Sequence, residues 1–243
     1  MDNVEIWQIL LIILIGAGAG FVQRVSGFGL GIFAMLFLPS IMPTASAAAI
    51  SCLFSCGTST YNAIKYRKDI PFKTVLPMLC AALAVIPFAV IGSKYVPDRI
   101  FKILLGIVLI CLSIYFLFFN TKIKLKASTK NGIIAGSVGG ALNGLFSTGG
   151  PPVVLYLTHA TKTPVAYFAG IQFYFSLTNL YSAGVRAVNG IITLPILVLA
   201  AIGFCGCMTG DLIGRQVFDK LDAKKLKKVI YVGMIISGVL MIF

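Results

Sequence analysis

A chain of 243 residues with 58% hydrophobic and 11% charged residues and a mean hydropathy of +0.98 lies outside the range of soluble globular domains. These figures exclude disorder, collagen-like repeats and a disulfide-stapled secreted domain, and they place the chain in a bilayer. The charge of +13 is no nucleic-acid footprint, because the cations lie between apolar runs, at Lys65 to Lys73, Lys122 to Lys130 and Arg215 to Lys228, as in cytoplasmic loops beside anionic lipid.

The N-terminal Met1 to Glu5 lacks the basic region of a signal peptide, so the apolar run from Ile6 is expected to be retained. A membrane helix needs about 20 apolar residues. In chain order the sequence predicts a broken stretch over 6–39, spans over 44–64, 72–93 and 100–119, a basic linker over 122–130, a second broken stretch over 131–158, and spans over 164–185, 191–214 and 226–243. Polar, Gly-rich sequence interrupts both broken stretches, from Gln23 to Gly31 and from Asn143 to Pro152. The six Cys (52, 56, 80, 111, 205 and 207) fall inside apolar segments and read as reduced packing residues, with no His or carboxylate cluster to make a metal site.

An offset of 120 residues aligns Gly16 with Gly136, Gly20 with Gly140, Gln23 with Asn143 and Gly29 with Gly149, then Thr58 with Thr178 and Tyr61 with Tyr181. The order of elements repeats too, so the expected architecture is an all-α integral membrane protein of two structural repeats, 1–121 and 131–243. Each repeat is a broken or re-entrant helical hairpin followed by three transmembrane helices. Lys and Arg favour the cytoplasmic side. If each broken stretch leaves on the side where it entered, the loop cations other than Arg24 divide 15 against 4, the minority being Lys94, Arg99, Lys102 and Arg186. Single crossings give 9 against 10. Inverted repeats are therefore expected, with both termini outside and the linker in the cytoplasm, in a chain that crosses a bacterial inner membrane many times.

Unwound backbone is tolerated in a bilayer where it lines a cavity, and transporters built from inverted repeats place such breaks at a midplane site. Half-helices starting after Gly31 and Pro152 would aim positive dipole ends at the meeting point, which favours an anion. The residues expected to bind a small anionic substrate are Gln23, Arg24, Ser26, Gly27, Phe28 and Gly29 in the first break and Asn143, Ser147, Thr148, Gly149 and Gly150 in the second. Arg24 is the strongest single signal, an ionisable residue in a membrane hairpin whose fork suits paired oxyanion oxygens. Its alternatives are snorkelling and a structural pair with Asp211. Tyr61, Tyr181, Asp211 and His159 are candidates for the pathway or for proton coupling, against structural readings as interfacial aromatics, an Asp211–Arg215 pair and a loop histidine. No catalytic constellation, nucleotide loop or cofactor motif is present. The partners expected are substrate and membrane lipid, without nucleic acid, and a homo-oligomer is left open.

With these residues in view, the chain resembles the TauE/SafE sulfite exporter family, which carries a Gly-x-x-x-Gly run, a Gly-rich patch and a following Pro in each half. Gly16 to Gly20, Gly27-Phe-Gly-Leu-Gly31 and Pro39 carry the first copy; Gly132 to Gly140, Ser147-Thr-Gly-Gly-Pro-Pro152 and Pro164 carry the second. Leu30 and Pro151 replace glycines of the fuller pattern, and Arg24 stands where a small residue is common. The resemblance implies a multi-pass permease for small sulfur-containing anions such as sulfite or organosulfonates, generally an exporter; the two inverted halves are expected to rock around the hairpin tips in alternating access. Small carboxylates, or a non-transporting membrane scaffold or assembly partner, are the alternatives.

Overall fold

The computed structural model describes residues 6–119, 126–217 and 223–243, and among these it is all helix and turn, with no strand. The first broken stretch is α1 (Ile6–Ser26) and a short α2 (Leu30–Phe37) that runs on into a 3-10 turn, Leu38–Ser40. Three long helices follow: α3 (Thr44–Lys65), α4 (Phe72–Ser93) and α5 (Asp98–Ile114), the last extended by a π-helical turn over Tyr115–Phe119. The second half repeats the order with α6 (Thr129–Phe146), α7 (Gly150–Ala160), α8 (Pro164–Val188), α9 (Leu194–Val217) and α10 (Ala223–Ile242). Local chemistry sets the boundaries. Pro43, Pro71 and Pro97 precede α3, α4 and α5, and the side chains of Ser128 and Thr163 accept from the backbone of Asn131 and Ala166 to start α6 and α8.

Both broken stretches fold back on themselves. Phe33 of α2 lies against Gly18 of α1, and Tyr156 of α7 lies against Gly132 of α6. The packing of the long helices is exchanged between the halves. Helix α1 runs parallel to α9, Gly16 meeting Gly203 and Gly20 meeting Cys207, while α6 runs parallel to α4, Gly136 meeting Met78 and Gly140 meeting Ala82. At Gly16, Gly20 and Gly136 a Cβ would strike a carbonyl oxygen of the partner helix, so these seams are backbone against backbone, the close approach that small residues permit in membrane helices.

The remaining pairs join a helix to its own counterpart. In α5 and α10, Gly106 faces Gly238 and the Ser113 hydroxyl donates to Tyr231 O at 2.6 Å, so the two run antiparallel. Helices α3 and α8 also run antiparallel at the centre, where Cys52 reaches Asn179, Thr60 meets Ser176 and Tyr66 packs on Phe168.

Six ordinary spans were expected besides the two broken stretches. Among the described residues, four helical segments are long and apolar enough to cross a membrane: Trp7–Val25, Phe72–Ser93, Asp98–Phe118 and Leu194–Gln216. Helices α3 and α8 are as long but carry Ser, Thr, Gln and Asn on buried faces. They are central because they are polar, with the apolar helices packed around them. Helix α10 has a shorter apolar stretch, Ile230–Ile242.

Candidate functional site

The two breaks meet between the middle turns of α3 and α8. In the first, Gly29 adopts φ 108°, a left-handed conformation that glycine takes without strain, and α2 begins at once at Leu30. In the second, Ser147 sits at φ 56° after α6, and α7 begins at Gly150. Both half-helices thus start earlier than the sequence suggested, by two residues and by three. The reason is that the reversal is complete before those positions, made by the positive-φ residues Gly27 and Gly29 in the first break and Ser147 in the second. Contact between the tips is close: a Cβ on Gly31 would strike the Ser147 carbonyl oxygen, and Phe28 lies beside Gly150. Helices α3 and α8 hold the tips. Ser147 Oγ donates to Ala48 O at 2.8 Å, Gln172 Nε2 to Gly27 O at 3.1 Å, and Asn143 Nδ2 to Asn179 Oδ1 at 2.7 Å.

These contacts enclose a narrow cavity of about 20 Å³, lined from the first break by Gln23 and Phe28 to Ile32 and from the second by Asn143, Ser147, Thr148 and Gly150. Helices α3 and α8 complete it with Ser55, Ser59, Phe175 and Asn179. No residue of the lining is charged. Three of its polar atoms, Asn143 Oδ1, Thr148 Oγ1 and Ser59 Oγ, are buried without a hydrogen-bond partner, a condition that costs about 1–3 kcal/mol each and persists where a ligand or water satisfies it. The first-turn N–H groups of α2 add to them, since no side chain caps that helix. Helix α7 offers fewer, because Pro151 and Pro152 in its first turn have none. The donors at this site therefore come mainly from α2, not equally from both half-helices.

The other residues expected at the site are dispersed. Gly149 packs on Gly139 O and Asn143 behind the cavity wall, and Gly27 lies near Phe168. The Ser26 side chain lies outside the described residues. Arg24 is not among the cavity-lining residues; its Cβ and Cγ lie against Gly214 of α9. A cation that the sequence placed in a loop lies behind the cavity instead. Helix α8 continues past 185, and Arg186 is buried in it. Its guanidinium donates to Ser182 Oγ and, across the bundle, to Asn143 O at 3.2 Å and Gly144 O at 2.8 Å. These carbonyls belong to the last turn of α6, the negative end of that helix. Arg186 gives no periodic signal, because at a predicted helix end a loop cation and a buried cap look the same.

A larger cavity of about 270 Å³ lies between α1, α3 and α9. Its wall includes Gly20, Thr58, Tyr61, Asn62, Phe204, Asp211 and Arg215, and it shares Gln23 with the narrow cavity. Tyr61 and Arg215 are exposed, so it communicates with the surface. Asp211 accepts from Arg215 Nε at 2.8 Å, the expected i, i+4 pair. Tyr181 is not among the residues of either cavity wall. His159, at the end of α7, is exposed and its Nδ1 contacts Leu155 O. Among the described residues no cluster of His, Cys, Asp or Glu has the makings of a metal site.

The family model described as sulfite exporter TauE/SafE matches residues 12–241, so the chain belongs to that family of membrane transporters. A relative from Cupriavidus necator, described as a probable sulfite/organosulfonate exporter TauE, is 25% identical over 211 residues, covering 84% of this chain and 81% of that protein. No solved structure matches the chain significantly.

Proposed function

We propose that this member of the TauE/SafE family is a secondary transporter that exports small sulfur-containing anions, sulfite or organosulfonates, by alternating access around the meeting point of its two Gly-rich breaks. The observation that carries this reading is the narrow cavity: the buried, unpartnered hydroxyls of Thr148 in the second break and Ser59 in α3 converge on one spot, beside the uncapped N-terminus of α2 in the first break. An oxyanion takes hydrogen bonds from hydroxyl, amide and backbone N–H groups and gains from the positive helix end. The sulfur chemistry comes from the family and from the description of the Cupriavidus relative.

The two halves are read as inverted repeats with the site near the bilayer midplane. Supporting this, α3 packs antiparallel on α8 and α5 on α10, the arrangement that a two-fold axis in the membrane plane produces. The cations agree: Lys65, Arg67, Lys68, Lys73, Lys126, Lys130, Lys162 and Arg215 fall at the end of the bundle where α3 ends and α8 starts, and Lys94, Arg99 and Lys102 at the other. The first end is cytoplasmic on this reading, both termini are outside, and the larger cavity is the cytoplasmic vestibule with Gln23 at its floor. Since the narrow cavity has space for little more than one water, an entering anion must part the tips.

The test is thermal unfolding of the purified protein with sulfite, methanesulfonate, acetate and phosphate, followed by flux in proteoliposomes. Ligand at about 100 times its Kd stabilises the folded state by about 2.7 kcal/mol, so sulfite or methanesulfonate should raise the unfolding temperature and be transported. Stabilisation by acetate alone would make the protein a carboxylate permease, and no response to any anion would reject the transport reading.

A further inference from the structure

The lining of the narrow cavity is neutral, yet a full charge lies directly behind it. We propose that Arg186 makes this site select anions, and monoanions in particular, acting through Asn143 and the end of α6 without touching the substrate. The inference rests on the reading of the narrow cavity as an anion site.

Arg186 is 2% exposed. Its hydrogen bonds run to a hydroxyl and two carbonyls, and the Cys52 thiol lies beside it; no carboxylate is among these neighbours. The ion pairs among the described residues, Lys102–Asp98 and Arg215–Asp211, lie elsewhere in the bundle. A buried charge without a counter-charge is costly, and carbonyl dipoles offset only part of the cost. The missing partner has an obvious place. Asn143 gives its carbonyl to Arg186 and its side-chain amide to Asn179, and it lines the cavity. An anion there is separated from the guanidinium by a single residue, in surroundings where charge is poorly screened.

The same guanidinium sets the sign of the site. The carboxyl end of α6 would otherwise present partial negative charge to the meeting point, opposing the amino ends of α2 and α7. With Arg186 on the Asn143 and Gly144 carbonyls, that opposition is removed. One cation balances one negative charge. Hydrogensulfite or an alkylsulfonate leaves the buried site neutral, a dianion such as sulfate leaves it with an excess negative charge, and a neutral isostere leaves the Arg186 charge unbalanced. Arg186 is thus a positioning residue whose signature is charge selectivity.

The experiment compares binding of methanesulfonate, its neutral isostere methanesulfonamide, and sulfate to the purified full-length protein. Wild type should bind methanesulfonate at least tenfold more tightly than either of the others. In R186Q the preference for methanesulfonate over methanesulfonamide should fall towards unity, and in R186K, which keeps the charge, most of it should return. A purely structural role would weaken both ligands alike and leave their ratio unchanged. An unchanged ratio in R186Q therefore overturns the inference, as does wild-type protein that binds sulfate as tightly as methanesulfonate. Should R186Q fail to fold, the wild-type comparison with sulfate decides alone. If no anion binds wild type, the reading of the cavity fails; if anions bind both proteins with the same preference, this inference alone fails.

Discussion

Thr148 separates binding from stability. Its hydroxyl is buried without a partner in the cavity wall, so Thr148→Val removes a donor at nearly constant volume and relieves an unsatisfied polar atom. The unliganded protein should unfold at the same temperature or higher. Binding of sulfite or methanesulfonate should weaken roughly 10- to 100-fold, the equivalent of one hydrogen bond to a charged group, about 1.5–3 kcal/mol. Thermal unfolding with and without ligand reads both quantities; unchanged affinity would remove Thr148 from the site. Gly31→Ala should act in the opposite way. A methyl group there pushes on the Ser147 carbonyl, and overpacking of this kind costs about 1–3 kcal/mol, so the unfolding temperature should fall and ligand stabilisation with it. Polar residues next to glycine runs are legible in the sequence, and of these Gln23, Asn143, Ser147 and Thr148 line the narrow cavity. The role of the cations was not legible. Arg24 sits in the motif yet packs against Gly214, whereas Arg186 lies 43 residues from the carbonyl it holds at 3.2 Å, and such a partnership leaves no local pattern.

Helices differ in what their composition reveals. The apolar ones, α4, α5 and α9, were visible from hydropathy within a few residues, because lipid-facing helices must be apolar along their length. The polar pair α3 and α8 reads in the sequence as two ordinary spans. Their Ser, Thr and Asn faces serve the site and each other, and a pairing across the bundle is not written in either helix. The glycine seams are the clearest case of legible function in an element: Gly16 and Gly20 on α1, and Gly136 and Gly140 on α6, were matched by offset and occupy equivalent seams against α9 and α4. Gly20→Val and Gly140→Val should therefore each lower the unfolding temperature, by an overpacking penalty of about 1–3 kcal/mol. Gly184→Ala in α8 is the control. A Cβ there meets nothing within 4 Å, and alanine in a helix interior is favoured by up to about 1 kcal/mol. A scan in which the three variants behave alike would contradict close backbone contact as the role of the seams.

The proposed alternating access requires that the two halves exchange roles, and the proposed inverted symmetry names the residues that should do so. The open vestibule lies between α1, α3 and α9, with Thr58 on its wall. The equivalent place in the other half lies between α6, α8 and α4, and there it is filled: Thr178, Ser182, Ala82 and Ile86 are fully buried, and Arg186 is buried one turn beyond Ser182. At the end of α6 the rings of Phe146 and Phe101 of α5 stack, 4.8 Å between centroids. Opening to the outside should thus expose Thr178 as opening to the cytoplasm exposes Thr58. In a transport-competent background with the native cysteines replaced, Thr58→Cys should react with a membrane-impermeant thiol reagent supplied at the basic-loop face, and substrate should slow the reaction as molecules leave that state. Thr178→Cys should be inert at rest and become reactive from the opposite face during turnover. Labelling of both positions from one face would indicate a channel, and a Thr178→Cys that stays inert during measured flux would rule out exchange between the halves. Phe146→Ala should raise the resting reactivity of Thr178→Cys, because Phe146 is fully buried against Phe101 and removing its ring leaves a cavity at that end of α6.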